Sequence, residues 1–228
     1  MIFIHIISIE NYVATLSLRR YNNKNAQTSK QILSIHRKES AMKNYQITEW
    51  CAHFIKEQVQ EGDFCIDATM GNGNDTLLLS RLCGSSGRVL SFDIQKQALT
   101  NTEALLTKEQ APQNYTLILD SHEHIDQYTE NASVSCIIFN LGYLPGGDHN
   151  LTTKKETSIP ALTKALSLLK KGGLLSLCIY SGGDSGFDER DAVLAWLQNL
   201  NPRKFLVIKT EYYNRPNHPP IPVMIIRL

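Results

Sequence analysis

Residues 64–76 read Phe-Cys-Ile-Asp-Ala-Thr-Met-Gly-Asn-Gly-Asn-Asp-Thr: a short apolar run ends in an acid, passes through a Gly-x-Gly turn and opens a helix. That order suits a strand that delivers a nucleotide-type ligand to a helix N-terminus. The glycines let backbone and ligand come close, and the first helical N–H groups point at the ligand. About 20 residues past Gly73 a second apolar run, Arg88 to Phe92, ends in Asp93, where an acid can hold both hydroxyls of a ribose. The spacing points to an adenosine-containing cofactor.

The rest of the chain alternates in the same manner. An amphipathic helix is expected over Tyr45 to Gln60, with Ile47, Trp50, Phe54 and Val59 on one face and Gly62-Asp63 at its end. Strand one covers Phe64 to Ala68, and Asn74 or Asp75 caps the next helix, whose apolar face carries Leu78, Leu79 and Leu82. Strand two is followed by a helix from Gln95 to Lys108, strand three (Tyr115 to Leu119) by Asp120-Ser121-His122, and strand four (Val134 to Phe139) by Asn140. A polar, Gly-rich loop from Leu141 to Lys155 leads to a helix over Glu156 to Lys170, with Gly172 as its left-handed stop. Strand five (Leu174 to Tyr180) runs into Ser181 to Gly186, and Ser185 or Asp188 caps a helix reaching Leu200. Phe205 to Glu211 and Val223 to Leu228 have no helix between them and should form a hairpin around the turn Asn214 to Pro222. Strands alternating with helices imply an α/β fold: a seven-stranded, mostly parallel sheet with an antiparallel last strand and helices on both faces.

Charge and cysteines narrow the setting. Residues 1–42 carry six Lys/Arg against two Asp/Glu, leaving 17 basic and 20 acidic residues in the rest. Any nucleic-acid contact must therefore use a local basic patch rather than an overall field. Cys51, Cys65, Cys83, Cys136 and Cys178 form no C-x-x-C pair, which disfavours zinc and thioredoxin-like sites, and no metal is expected. Cys65, Cys136 and Cys178 fall in expected core strands, where a thiol is small apolar filler, and a reducing, cytoplasmic setting agrees. Met1 to Ile7 is too short for a membrane span, and no membrane partner is expected. Residues 1–42 read best as a poorly ordered or mis-started extension, with Met42 as the alternative start. The competing reading is an organelle-targeting segment, because Leu18 to Ser40 is basic, Ser/Asn-rich and acid-poor.

In a sheet of this kind ligands sit beyond the carboxyl ends of the strands. The clusters at Asp67 to Asp75, Asp93, Asp120 to His122, Asn140 to Lys155 and Ser181 to Gly186 all fall there. The glycine turn by itself is a weak signal, since the dinucleotide fingerprint needs a third glycine where Thr76 stands. An acid at the position of Asp67 also suits a cationic ligand better than a pyrophosphate.

Asp67-x-Thr69-x-Gly71-x-Gly73 resembles the cofactor motif of Rossmann-like class I S-adenosyl-L-methionine-dependent methyltransferases. Joined to Phe92-Asp93-Ile94-Gln95, Ser121-His122 and Phe139-Asn140-Leu141-Gly142-Tyr143-Leu144-Pro145-Gly146-Gly147-Asp148, it is similar to a bacterial rRNA methylase family. That family includes methyltransferases of the tRNA wobble nucleoside 5-aminomethyl-2-thiouridine. The resemblance spans Tyr45 to the C-terminus, so residues 43–228 would form the methyltransferase domain. It implies that Asp67, Thr69, Gly71, Asn72, Gly73, Asn74, Asp75 and Thr76 cradle the methionine part of the cofactor. Asp93, Ile94 and Gln95 would hold the ribose side, and Asp120, Ser121 and His122 would lie near the adenine. A histidine expected among the glycines after strand five is absent.

Asn140-Leu141-Gly142-Tyr143 resembles the Asn/Asp-Pro-Pro-Tyr loop of amino-group methyltransferases. An acceptor amine needs its N–H bonds drawn away so that its lone pair faces the sulfonium. The Asn140 amide oxygen and the Leu141 carbonyl can accept them, with Gly142 beside them and Tyr143 free to stack on a base. A lysine-like amine costs about 4.6 kcal/mol to deprotonate at neutral pH. Desolvation and the sulfonium both favour the neutral form, and Asp148 or His149 are the candidates for any base. The implied reaction is N-methylation of the aminomethyl group at the tRNA wobble position, with the anticodon loop as partner. Lys154 and Lys155 are the leading phosphate contacts, ahead of Arg203, Lys204, Lys209, Arg215 and His218. A homodimer sharing one RNA would extend the reach of so small a domain. The alternatives are a methyltransferase of rRNA or of a small amine, a non-catalytic cofactor- or RNA-binding protein, and a nicotinamide oxidoreductase, the last disfavoured by Thr76.

Overall fold

The computed structural model describes residues 45–142, 144, 146, 152–181 and 183–228, with backbone alone for 183–185. Helix α1 (Ile47–Gln58) leads into β1 (Phe64–Asp67), α2 (Asn74–Cys83), β2 (Arg88–Asp93), α3 (Lys96–Lys108) and β3 (Tyr115–Leu119). A 3₁₀ helix (His122–Gln127) precedes β4 (Val134–Leu141), α4 (Lys155–Leu168), β5 (Leu169–Ile179), α5 (Gly183–Gln198), β6 (Phe205–Lys209) and β7 (Ile221–Arg227). The strands form one seven-stranded sheet in the order β3-β2-β1-β4-β5-β7-β6. β1 to β5 pair in parallel, and β7 runs antiparallel to both β5 and β6. The order reverses between β1 and β4, which puts the topological switch point, and so the ligand crevice, at their carboxyl ends.

Side chains alternate across the sheet with the period-two rule of a strand. Ile66, Leu90, Phe92, Ile137, Phe139, Leu175 and Leu177 pack with Leu162 and Ala165 of α4, Val193 and Leu197 of α5 and Ile125 of the 3₁₀ helix. Cys65, Val89, Cys136, Ile138, Leu174 and Cys178 point the other way, onto Ile47, Cys51 and Ile55 of α1 and Leu79 and Cys83 of α2. Every cysteine therefore lies in the layer beneath α1 and α2, reduced and buried, as small apolar filler.

The boundaries differ from the sequence expectation where glycines were assigned the wrong task. α4 ends at Leu168 and β5 begins at once, so Gly172 is not a helix stop. Its φ of +77° serves a bulge, where the register jumps from Val134↔Leu169 to Cys136↔Leu174. α5 already starts at Gly183, which places Asp188 inside the helix rather than at its cap. α1 stops at Gln58, β6 at Lys209, and β7 begins earlier, at Ile221. Among the described residues no helix is long and apolar enough to cross a membrane.

Candidate active site

The carboxyl ends of β1 to β5 open onto one cleft of about 720 Å³, within the usual range for small-molecule sites. After β1 the chain turns through two left-handed glycines, Gly71 (φ +54°) and Gly73 (φ +84°). A Cβ on Gly73 would stand 2.7 Å from Thr102 Oγ1 and 2.9 Å from its Cα, so α3 packs too closely for any side chain there. Gly73 is itself the N-cap of α2. Asn74 and Asp75, expected as caps, occupy the first turn instead and line the cleft.

Asp93 is fixed by two backbone donors. The Gly71 N–H reaches its Oδ2 at 3.0 Å and the Gln95 N–H its Oδ1 at 2.9 Å. A carboxylate has about four acceptor positions, so one on each oxygen is left for a vicinal diol. Ile94 and Gln95 line the cleft beside it. Asn72 also lines it, and its Oδ1 accepts from Asn101 Nδ2 at 2.8 Å.

Asp67 and Thr76 lie beneath the cleft rather than in its wall, both fully buried. The Thr76 hydroxyl donates to Asp67 Oδ2 at 2.7 Å and lies 3.0 Å from the Ser91 hydroxyl, while the Thr69 N–H donates to Asp67 Oδ1. Thr76 stands where a dinucleotide fold would have glycine because its hydroxyl braces this buried acid. Loss of solvation, and then the charge of Asp75, push the Asp67 carboxyl up to about 7.

At the tip of β4 the Asn140 N–H donates to Thr69 Oγ1 at 2.7 Å, which staples β4 to β1 beyond their ladder. The Asn140 side chain lines the cleft, and its Nδ2 donates to Asp75 Oδ2 at 2.7 Å. An amide whose nitrogen is committed to a carboxylate turns its oxygen the other way. Burial raises the Asp75 pKa, and the Asn140 hydrogen bond opposes that rise.

One expected group lies apart from the cleft lining. Leu141 is buried and not among the cleft-lining residues, and its carbonyl accepts the Tyr180 N–H at 3.1 Å as β4 continues along β5. Gly142 lines the cleft, and its carbonyl accepts the Thr153 N–H at 3.0 Å. Tyr143, Asp148 and His149 lie outside the described residues.

On the β3 side, Asp120, Ser121 and His122 all line the cleft. Asp120 lies 2.8 Å from His124 Nδ1 and accepts from Tyr128 Oη at 2.7 Å, and these partners hold its pKa down. Ser121 caps the 3₁₀ helix through the Glu123 N–H. His122 packs edge-on against Phe139, burial lowers its pKa, and its Nε2 has no partner among the described residues. Lys154 lines the cleft, whereas Lys155 opens α4 outside it.

Sequence reasoning missed Thr48 of α1, Leu144, Thr152, Thr153, Thr157 and Tyr180, all cleft-lining. Thr48, Thr157 and Tyr180 carry no motif signal and arrive through packing of neighbouring elements, whereas Leu144, Thr152 and Thr153 lie within the Asn140–Lys155 segment that the sequence places at the strand ends. Among the described residues no group of three His, Cys, Asp or Glu could hold a metal.

The sequence model of the family described as Putative rRNA methylase matches residues 89–226. A chloroplastic tRNA (mnm(5)s(2)U34)-methyltransferase of Arabidopsis thaliana is 38% identical over 77% of this chain and 68% of its own length. The chain belongs to the rRNA methylase family. Among solved structures, a protein described as a putative rRNA-methylase of Clostridium thermocellum is 44% identical, with TM-score 0.79 over 82% of this chain and all of that one. A methyltransferase-like protein of Streptococcus mutans, solved with S-adenosylhomocysteine, is 37% identical, with TM-score 0.73 over 81% of this chain and 99% of that one.

This rRNA methylase-family chain is an S-adenosylmethionine-dependent methyltransferase with a Rossmann-like class I fold. Its cleft has the features the cofactor needs: a diol-sized pair of acceptor positions at Asp93, apolar walls at Met70, Phe92, Ile94 and Leu144, and the N-terminus of α2.

Proposed function

We propose that this methyltransferase N-methylates the aminomethyl group of 5-aminomethyl-2-thiouridine at the wobble position of tRNA. The observation that carries the reading is the 2.7 Å hydrogen bond from Asn140 Nδ2 to Asp75. It commits the amide nitrogen, which leaves the Asn140 oxygen as the acceptor that an amine at the tip of β4 needs for one of its N–H bonds. Support for the RNA comes from the 38% identity to the Arabidopsis tRNA enzyme.

The bound cofactor supplies a methyl group activated on a positive sulfur. Asp93 would hold its ribose diol and the turn Thr69–Asn74 its methionine end, leaving Asn140 to set the angle of the incoming amine. Alignment of this kind lowers a barrier by making the encounter intramolecular. Burial of the amine favours its neutral, reactive form, which offsets part of the roughly 4.6 kcal/mol that deprotonation costs at neutral pH. Lys154, at the cleft rim, is the phosphate contact nearest the acceptor.

The test is the nucleoside profile of tRNA from a strain lacking this chain, read by mass spectrometry. Unmethylated 5-aminomethyl-2-thiouridine should accumulate. An unchanged profile would sink the proposal.

A further inference from the structure

Beside the cofactor cleft lies a second, smaller cavity of about 150 Å³, and the two share Gly142, Thr152 and Tyr180. The side pocket therefore adjoins the cleft at the tips of β4 and β5. Its volume matches that of an engineered cavity that accepts benzene, about 150 Å³, so it has room for one six-membered ring. Gly142 keeps the mouth open, because a Cβ there would stand 3.3 Å from the Tyr180 Cβ.

The polar groups inside are specific. Ser181 Oγ is buried without a hydrogen-bond partner among the described residues. Such a group costs free energy unless a ligand or water satisfies it. Glu189 of α5 is 2% exposed and lines the same pocket. Its oxygens each accept one hydroxyl, Thr153 Oγ1 at 2.7 Å and Ser158 Oγ at 2.6 Å, which leaves acceptor capacity on both. The fourth wall is the β6–β7 turn, where Asn217 (φ +65°) and His218 (φ +49°) are both left-handed. Two consecutive non-glycine residues in that region cost about 1–3 kcal/mol each. Strain of this size is retained where the surrounding structure needs the side chain in place. A carboxylate in the pocket repels phosphate, so His218, expected as a phosphate contact, faces the wrong chemistry for that task.

We propose that this side pocket is the base subsite, and that it reads the imide edge of a single uracil-type ring. The ring N3–H donates to Glu189, and the adjacent carbonyl or thiocarbonyl accepts from Ser181. A cytosine in the same pose would aim its N3 lone pair at the carboxylate and be rejected. Sites built to hydrogen-bond a buried group can discriminate by factors of about 10⁴ or more. This inference rests on the wobble-uridine reading above and adds to it the groups that choose the base.

Ser181→Ala, Glu189→Gln and Gly142→Ala are to be assayed for methyl transfer to tRNA alongside S-adenosylhomocysteine affinity. The expected result is a rise of about tenfold or more in KM for tRNA in each, with cofactor affinity within twofold of the parent for Ser181→Ala and Glu189→Gln. Ser181→Ala removes one hydroxyl from a loop and keeps the test informative should Glu189→Gln or Gly142→Ala fold poorly. KM for tRNA unchanged in Ser181→Ala would overturn the subsite while leaving the wobble reading intact. If the parent chain methylates no aminomethyluridine RNA, the wobble reading falls. The subsite is then judged by soaking uridine and cytidine, each with S-adenosylhomocysteine, into crystals. A uracil ring between Tyr180 and His218, with cytidine absent, supports it. Equal occupancy of the two nucleosides, or neither in the pocket, overturns it.

Discussion

Asp75 does two jobs that compete. As a first-turn acid it complements the N-terminal dipole of α2. As the acceptor of Asn140 Nδ2 it holds that amide's nitrogen and leaves its oxygen to other donors. Only the second job predicts reciprocity. Asn140→Asp places two carboxylates at hydrogen-bond distance, where one must stay protonated, and kcat should fall about 100-fold, the usual cost of one misdirected polar group at a reacting centre. The double variant Asp75→Asn/Asn140→Asp restores the pair in mirror form, since the new amide nitrogen can donate to the new carboxylate. Single-turnover rates should recover to within about tenfold of the parent, with S-adenosylhomocysteine affinity as the control. A double variant as slow as Asn140→Asp alone would show that Asp75 only supports the helix. The Asn140 and Asp93 positions were legible in the sequence because each follows an apolar run directly. The Asp75–Asn140 bond was not, because 65 residues separate its ends.

At the scale of elements, the turn between β1 and α2 is held by α3. Gly73→Ala meets two penalties, the left-handed backbone and the contact with Thr102. Gly172→Ala meets the first alone, since its φ is similar (+77°) and no atom lies within 4 Å of its would-be Cβ. Urea denaturation should show Gly172→Ala losing about 1 kcal/mol and Gly73→Ala losing more, toward about 3 kcal/mol, and Thr102→Ala should recover only part of the difference because the Thr102 backbone also blocks the space. Equal losses for the two glycines would remove the packing argument. These two positions also show where element reading stops. A glycine after an apolar helix reads as a stop, and Gly172 satisfies every local criterion for one. What puts it in a bulge is β4, whose register demands the insertion opposite Val134 and Cys136. The α2 cap is similar: Asn74 and Asp75 are good caps in isolation, and the close approach of α3 gives the task to Gly73.

For the whole molecule, the buried Asp67 couples stability to pH. Its native pKa of about 7 lies above the unfolded value of about 3.9. Between those limits the native state keeps a proton that the unfolded chain has lost, so this group's contribution is full below about pH 4 and gone by about pH 7. Asp67→Asn keeps an acceptor for Thr76 and cannot titrate. The stability difference between parent and variant, from urea midpoints, should therefore shift against the parent as pH rises through that window, then level off; a difference constant from pH 4 to 8 would contradict the raised pKa. The order of strands and helices, the sheet class and the strand tips that form the site are all set by patterns within about ten residues, because apolar period and turn chemistry are local properties. Which acids face the cleft and which lie under it, how the Asn140 amide is turned, and the existence of the side pocket depend on contacts between residues far apart in the chain. Those contacts arise only when the layers pack, and no local pattern encodes them.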